Sequence, residues 1–186
     1  MLLKTDRFGI RPLTLQDLEA FFELQSDRSQ FRKKSDLTLS SKEEALKLLE
    51  EEIEIHELNV SFGHPFAGIL GIEMNNSEKL VGVIYAGLGN RIMQFGIWIL
   101  NQYQKTGIGT EVLNAVMKHA FTCQNTNRIY AETDARNIAC IKLLERAEMQ
   151  REGVFRKKIL MNDDTYEDEY IYGILAEEFK TKSYQI

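Results

Sequence analysis

The stretch from Ile92 to Phe121 reads IMQFGIWILNQYQKTGIGTEVLNAVMKHAF and falls into three parts. Its first part, Ile92–Leu100, is short and almost entirely apolar, which favours a buried strand over a helix. A polar segment and two glycines, Gly107 and Gly109, come next. After them apolar side chains recur at helical spacing: Ile108, Val112, Val116 and Ala120, with Leu113, Met117 and Phe121 beside them. The stretch therefore predicts a strand, a glycine-containing turn and a helix.

The predicted turn has a chemical consequence, because the first N–H groups of a helix lack partners within it and the helix dipole adds positive charge there. Glycines let an anion approach the backbone without a Cβ in the way. Two common phosphate motifs do not fit. GxxxxGK[ST] is absent, and Val112 occupies the third glycine position of GxGxxG. What remains is a phosphate-binding turn at Gln104–Gly109, QKTGIG.

This hexapeptide resembles the Q/R-x-x-G-x-G/A signature of the GNAT acyltransferases. The longer phrase GIWILNQYQKTGIGTE resembles the branch that includes ribosomal-protein N-terminal acetyltransferases and spermidine acetyltransferases. The resemblance implies an α/β (α+β) GNAT fold, in which a central mixed, mostly antiparallel sheet of about seven strands is flanked by about four helices. The structural alternative is a strand–turn–helix whose glycines are incidental.

A second segment, Asn137–Ala147, resembles the family's N-x-x-S-x-x-x-L/Y-E-K-x-G-F helix, whose asparagine approaches the pantetheine arm of coenzyme A. Asn137 and Leu144 match, whereas Cys140 stands where serine is common and Glu148-Met149 replace Gly-Phe. The resemblance thus implies one set of acetyl-CoA-binding residues: Trp98, Ile99, Leu100, Gln104, Lys105, Thr106, Gly107, Ile108, Gly109, Thr110 and Asn137.

The other predicted elements follow from capping boxes and apolar runs. Two helices are expected to begin at the capping boxes Thr14–Asp17 and Ser41–Glu44. The remaining strands are expected at Phe8–Leu13, Phe66–Met74, Leu80–Leu88, Arg128–Asp134, Val154–Asn162 and Tyr166–Leu175. We expect the 186 residues to form a single acetyltransferase domain, 1–186.

Composition narrows the possible partners. The net charge of −5 argues against nucleic acid as a partner, and no long apolar run indicates a membrane span. The two cysteines lack CxxC spacing and the three histidines are scattered, so we expect neither a metal site nor a disulfide framework. We expect a cytoplasmic protein.

The resemblance implies direct transfer of an acetyl group from the CoA thioester to an amine, with the carbonyl oxygen held by a backbone N–H near Ile99 or Leu100. The general acid is open: Cys140 occupies a position comparable to a serine in the N-terminus-modifying branch, and its alternative role is a small buried hydrophobe. The general base is open too, with Glu132 as the first candidate and Asp134 and Glu73 as others.

The predicted function is therefore acetyl-CoA-dependent N-acetylation, without a metal. The acceptor is either a protein N-terminus or a small molecule such as a polyamine or an aminoglycoside. The alternative is a non-catalytic acetyl-CoA-binding regulatory module of the same fold, because Gln94 stands where relatives often have a glutamate. A homodimer formed through the terminal hairpin is a further possibility.

Overall fold

The computed structural model describes residues 1–31, 33, 38–77 and 79–182. Its strands form one sheet with the spatial order β1-β2-β3-β4-β5-β6-β8-β7. All neighbouring pairs are antiparallel except β5 and β6, which are parallel. The strands are β1 Leu3–Lys4, β2 Phe8–Arg11, β3 Gly68–Met74, β4 Leu80–Gly89, β5 Ile92–Ile99, β6 Arg128–Asp134, β7 Gln150–Leu160 and β8 Tyr166–Leu175.

The α-helices cover the two faces of this sheet. They are α1 Leu18–Ser26, α2 Lys42–Ser61, α3 Ile108–Cys123, α4 Ile138–Arg146 and α5 Ala176–Lys182. The apolar sides of α3 and α4 pack into the larger core with Met93 and Phe95 of β5. Phe21 of α1 and Leu49 of α2 form a second core on the other face. The mixed, mostly antiparallel fold predicted from the sequence is confirmed, with β1 and α5 as additional elements.

A largely buried ion-pair network joins β2 and β3 to the turn before α1. Arg11 donates from both terminal nitrogens to the two carboxylate oxygens of Asp17 at 2.7 Å and also pairs with Glu73. Asp17 accepts the Thr14 N–H at 2.8 Å, which is the reciprocal bond of the predicted capping box. Burial opposes ionisation of Asp17, but the bonds from Arg11 and Thr14 outweigh it and hold the pKa of this carboxyl below its usual value.

The turn after α4 keeps its shape without the glycine that the resemblance leads one to expect. Glu148 adopts a φ of 60°, in the left-handed region that glycine favours. Met149 is buried in the larger core, so it takes the place that the resemblance assigns to phenylalanine. The substitution of Gly-Phe by Glu148-Met149 therefore leaves the connection from α4 to β7 intact.

Strands β5 and β6 separate soon after they meet. Their pairing covers only Ile92–Gln94 of β5 and Arg128–Tyr130 of β6. On its other edge β5 pairs with β4 from Ile92 to Ile99. A gap therefore opens between the second halves of β5 and β6, and α3 begins at its mouth.

Candidate active site

A cavity of about 670 Å³ lies at the gap between β5 and β6. Its lining comes from the end of β5, the turn before α3, the start of α4 and Ser29-Gln30 after α1. Among the predicted acetyl-CoA-binding residues, those that line it are Trp98, Ile99, Gln104, Lys105, Gly107, Gly109, Thr110 and Asn137. Its volume is within the range of small-molecule sites. A larger concavity along β7, of about 850 Å³, contains none of the predicted residues.

The turn before α3 carries a row of unoccupied backbone donors. In the described part of the chain, no acceptor is found for any N–H from Lys105 to Thr110, whereas the next one, that of Glu111, donates to Gly107 O at 3.1 Å. Buried or semi-buried donors without partners are rare, and at a helix N-terminus they suit an anion. The residues present thus fit the pyrophosphate of acetyl-CoA.

Gly107 is the N-cap of α3 and has a φ of 88°. A side chain at this φ is strained, so glycine is needed here for the backbone itself. Gly109 differs, because a Cβ there would lie 3.5 Å from Leu143 Cδ2, an ordinary contact. The first glycine of the motif is therefore required by conformation, and the second is not.

The turn is braced from outside by Arg7, in the connection between β1 and β2. Its Nη1 donates to Thr106 O at 3.2 Å, and its Nε donates to Glu111 Oε2 at 2.7 Å. Burial opposes ionisation of Glu111, but bonds from Thr5 and Arg7 outweigh it and lower its pKa. These contacts fix the first turn of α3 while its N–H groups stay available.

Positive charge surrounds the cavity, although the whole chain is acidic. Lys142 and Arg146, one turn apart on α4, line it together with Lys105. The family resemblance gives Lys142 and Arg146 no role, and charged side chains on a helix are usually solvent-exposed, so the sequence alone gives no reason to assign them to the site. Only the orientation of α4 against the gap, which long-range packing sets, reveals them.

The two N–H groups predicted to bind a carbonyl oxygen, those of Ile99 and Leu100, point in opposite directions. Leu100 N–H donates to Val81 O at 3.0 Å, so it is occupied. Hydrogen-bonding direction alternates along an antiparallel strand, so the Ile99 N–H points away from β4 and into the gap. Consistent with this, Ile99 O accepts Gln104 Nε2 at 2.9 Å. The side chains of Leu100 and Ile108 are buried, which leaves them only backbone roles.

Asn137 caps α4, and Cys140 lies within its first turn. Asn137 Oδ1 accepts the Cys140 N–H at 3.1 Å, and no described residue bonds to the amide nitrogen of Asn137, which can donate to a ligand. The Cys140 thiol lines the cavity, where burial raises its pKa, and a bond with Thr133 only partly offsets this. The thiol is therefore neutral at physiological pH and can donate a hydrogen bond.

The predicted bases lie outside this lining. Glu132 is exposed on β6, and its carboxylate is 4.0 Å from Lys158 Nζ. Because Ala131 packs in the core with α3, the alternation of β6 places Glu132 on the opposite face of the sheet. The Glu73 carboxylate forms an ion pair with Arg11. Asp134 Oδ1 accepts the Arg136 N–H at 2.8 Å. The role of Glu132 as a base stays a prediction.

Neither a metal centre nor a membrane span is seen in the described ranges. No group of three or more histidine, cysteine, aspartate or glutamate side chains there is arranged to hold a metal ion. No helix in those ranges combines the length and apolar character that a membrane span requires.

Comparison with known proteins identifies the family of this chain. The profile of the Acetyltransferase (GNAT) domain matches residues 7–150. YnaD, an uncharacterized N-acetyltransferase of Bacillus subtilis (strain 168), is 27% identical over 186 residues, which cover 96% of this chain and 99% of YnaD.

Solved structures show the same architecture. A GNAT-family acetyltransferase from Bacillus anthracis superposes with a TM-score of 0.80 at 25% identity, over 95% of this chain and 99% of its own. RimL, a ribosomal L7/L12 alpha-N-protein acetyltransferase solved with coenzyme A disulfide-linked to a cysteine, gives 0.77 at 19% identity, over 94% and 97%. Spermidine N-acetyltransferase from Vibrio cholerae, with CoA and spermine, gives 0.74 at 21% identity, over 95% and 99%.

Proposed function

Because the chain belongs to the GNAT acetyltransferase family and is an acetyl-CoA-dependent N-acetyltransferase, we propose that it transfers the acetyl group directly to a primary amine. The observation that carries this proposal is the row of free N–H groups from Lys105 to Thr110, at the mouth of the gap between β5 and β6. Those donors hold the pyrophosphate, with Lys105, Lys142 and Arg146 supplying positive charge around it.

Acetyl-CoA, when bound, would supply a thioester: a C–N bond forms between the amine and its carbonyl carbon, the C–S bond breaks, and the proton that the amine loses neutralises the released CoA thiolate through solvent. The chain contributes three things beside it. The Asn137 amide nitrogen donates to the pantetheine arm, the Ile99 N–H is directed into the gap where a carbonyl oxygen can accept it, and the neutral Cys140 thiol donates to a leaving sulfur. Holding two reactants in place is worth roughly 7–11 kcal/mol, so the site works without strong acid–base groups.

The thiol of Cys140 acts as a hydrogen-bond donor rather than as a strong acid in this proposal. Burial raises its pKa, so complete transfer of its proton to a thiolate of ordinary basicity is unfavourable. A hydrogen bond to the sulfur still stabilises charge that develops there. The disulfide between coenzyme A and a cysteine in RimL supports the placement of a thiol near the CoA sulfur in this fold.

The acceptor class follows from a feature of the cavity: none of the described residues that line it is a carboxylate. An α-amine has a pKa near 8 and costs only about 1–2 kcal/mol to deprotonate at pH 7, whereas a lysine-type amine costs roughly 4–5 kcal/mol. A cavity without a base therefore favours an α-amine, such as a protein N-terminus. The likeness in fold to RimL, an alpha-N-protein acetyltransferase, supports an α-amine acceptor. The likeness to the spermidine N-acetyltransferase makes polyamines the second candidate class of acceptor.

The test is release of the CoA thiol from acetyl-CoA across a panel of peptides with free N-termini, polyamines and aminoglycosides. We expect release that depends on an α-amine and is absent with N-terminally blocked peptides. Release with polyamines alone would overturn the α-amine proposal. Calorimetric binding of acetyl-CoA without release on any acceptor favours the non-catalytic regulatory module, and no binding at all would refute the assignment of Gln104–Gly109.

Three further expectations from the sequence stay predictions. They are that residues 1–186 act as a single acetyltransferase domain, that the protein works in the cytoplasm, and that it forms a homodimer through the β7–β8 hairpin. Sedimentation at micromolar concentration, with and without acetyl-CoA, tests the last of them.

A further inference from the structure

A chain of side-chain hydrogen bonds joins the segment after α1 to the first residue of the phosphate-binding turn. Asp27 Oδ2 accepts Asn101 Nδ2 at 2.8 Å, and Asn101 Oδ1 accepts Gln104 Nε2 at 2.9 Å. Gln104 Nε2 also donates to Ile99 O at 2.9 Å. Asp27, 74 positions from Asn101, is thus linked through Asn101 and Gln104 to Ile99, which joins the segment after α1 to the end of β5 and the turn before α3.

Asp27 also organises the residues that follow it. Its Oδ1 accepts the Ser29 N–H at 2.9 Å, and its Oδ2 accepts Gln30 Nε2 at 2.9 Å. Its carbonyl oxygen accepts the N–H groups of Gln30 and Phe31 at 3.0 and 3.2 Å. Segment 27–31 is therefore folded around one carboxylate. Burial opposes its ionisation, but the bonds from Ser29, Gln30 and Asn101 outweigh this and lower its pKa.

Segment 27–31 forms part of the cavity wall. Ser29 and Gln30 line the cavity directly. The Phe31 ring stacks on Trp98 of β5, with 6.1 Å between centroids and 12° between planes. Trp98 packs with the α1–α2 side of the sheet, whereas Ile97 and Ile99 pack with the α3 side. The segment thus walls the cavity on the side of the sheet away from α3. Because the phosphate-binding turn lies at the α3 end, we take this wall as the acceptor side.

We propose that Asp27 is a positioning residue which couples the acetyl-CoA site to this acceptor-side wall through Asn101 and Gln104. The inference rests on the proposed function, because acetyl-CoA is the ligand whose binding would act on Gln104, Asn101 and Asp27. Binding at Lys105–Thr110 fixes the turn and with it the Gln104 side chain. That in turn holds Asn101 and Asp27, so segment 27–31 opens less often before the acceptor arrives. By reciprocity, an ordered segment tightens acetyl-CoA binding.

The test uses hydrogen exchange, which reports local opening and needs no acceptor. In the wild-type chain, acetyl-CoA should slow exchange at Ser29–Phe31 by about fivefold or more, the lower end of usual coupling strengths. Asn101→Ala should bind acetyl-CoA by calorimetry but show no such slowing. The matched control is Asn59→Ala, which removes an asparagine bond to Ala67 O at 3.2 Å; neither of these residues lines the cavity. It should behave as wild type.

An exchange of the two side chains separates coupling from simple loss of structure. Asp27→Asn alone places two amides together, and Asn101→Asp alone places two carboxylates together. The double variant restores a donor on residue 27 facing acceptors on residue 101, and Gln104 Nε2 keeps an acceptor. All three variants are made in a Gln30→Ala background and compared with Gln30→Ala alone, because Asp27 Oδ2 also accepts Gln30 Nε2 and an amide nitrogen there would not. We expect each single variant to lose the slowing and the double variant to regain it.

Two outcomes would overturn the inference while leaving the proposed function standing. One is equal slowing in wild type and Asn101→Ala, which would mean that the ligand touches segment 27–31 directly. The other is a double variant no better than the single ones. Absence of acetyl-CoA binding to the wild-type chain would instead refute the proposed function itself.

Discussion

The two edges of β5 differ in how far they are paired with a neighbouring strand. Along one edge the strand pairs with β4 over eight residue pairs, from Ile92 to Ile99. Along the other it pairs with β6 over three and then separates. The closed side is the part of the sheet that continues from β5 through β4 to β3 and β2. Even the buried charged groups there are paired, as Arg11 is with Asp17 and Glu73. On the open side, backbone donors from Lys105 to Thr110 have no acceptor in the described ranges.

This difference separates stability from function within one sheet. Closing the β6 edge would satisfy more backbone groups, yet it would remove the space for a thioester and the donors that hold it. We therefore expect substitutions on the closed side to change the free energy of unfolding without changing acetyl-CoA affinity. Substitutions at the open edge should change acetyl-CoA affinity where they obstruct the free N–H groups, and turnover where they remove a hydrogen-bond donor.

The largest effect is expected from Asp17→Asn on the closed side. Removing one partner from a buried, hydrogen-bonded ion pair typically costs about 3–5 kcal/mol of unfolding free energy. Urea titration at pH 7 measures this loss, and calorimetry on the folded variant should give unchanged acetyl-CoA affinity. The matched control is Glu19→Gln, which removes an exposed pair with Lys42 and should cost less than about 1 kcal/mol.

The same pair gives a pH test with a defined sign. The pKa of Asp17 is lowered in the folded chain, so its stabilisation is complete above the unfolded value of about 3.9 and is lost as pH falls through the folded value. The stability gap between wild type and Asp17→Asn should therefore stay constant from pH 7 to about pH 5 and narrow below about pH 4. A gap that is unchanged at pH 3 would mean that Asp17 does not contribute through its charge.

At the open edge, Gly107→Val should weaken acetyl-CoA binding most. Valine at a φ of 88° costs about 1–3 kcal/mol and pushes a branched side chain beside the free N–H groups. Affinity should fall by roughly tenfold to a hundredfold or more in calorimetry. Gly63→Val provides the control, because Gly63 has a φ of 80° and no neighbour for a Cβ within 4 Å. The Gly63→Val variant should lose a similar amount of unfolding free energy and keep its acetyl-CoA affinity. If it lost affinity too, backbone strain rather than the position of Gly107 would explain the weaker binding.

A smaller effect is expected from Cys140→Ala. If the thiol donates to the leaving sulfur, kcat should fall roughly twofold to tenfold, the value of one net hydrogen bond. The KM for acetyl-CoA should not change, and Cys140→Ser should restore part of kcat because it keeps a donor. Cys123→Ala, at an exposed cysteine, is the control. Kinetics identical to wild type would assign Cys140 to packing alone.

The smallest effect is expected from Gly109→Ala. The alanine Cβ meets Leu143 Cδ2 at 3.5 Å and Ile99 Cδ1 at 3.6 Å, so it fits without displacement. Because glycine is unfavourable within a helix, stability should rise by up to about 1 kcal/mol in urea titration. Acetyl-CoA affinity should stay unchanged. A clear loss of affinity would show that the ligand approaches the backbone at Gly109 more closely than at Gly107.

Local patterns were enough to predict most of this architecture. The predicted bounds of β6, Arg128–Asp134, are confirmed, because a short β-rich run between polar segments leaves little choice. The helix start at Ser41 is confirmed as well, with Ser41 Oγ accepting the Glu44 N–H. The two-residue strand β1 was missed because Leu3–Lys4 is too short to show any period.

The predicted site was incomplete for a different reason. The register between β4 and β5 decides whether Ile99 or Leu100 has a free N–H. Register is a property of the two paired strands, so the sequence of one strand does not reveal it. The bond between Asp27 and Asn101 joins residues 74 positions apart and follows no periodic pattern. Lys142 and Arg146 resemble solvent-facing residues until α4 is placed against the gap. Each of these features arises from long-range packing.

The irregular course of β7 affects how this molecule avoids aggregation. As the outermost strand, β7 is the place where a second chain would add itself by strand pairing. Its register shifts between Phe155 and Ile159, Lys157 turns to a φ of 55°, and Lys157 N–H is held by Asp168 Oδ1 at 2.9 Å. A bulge carrying three consecutive cations, Arg156–Lys158, leaves only short regular stretches on either side. The edge of the sheet is thereby a poor template for fibril growth, although Val154 and Phe155 are exposed beside it.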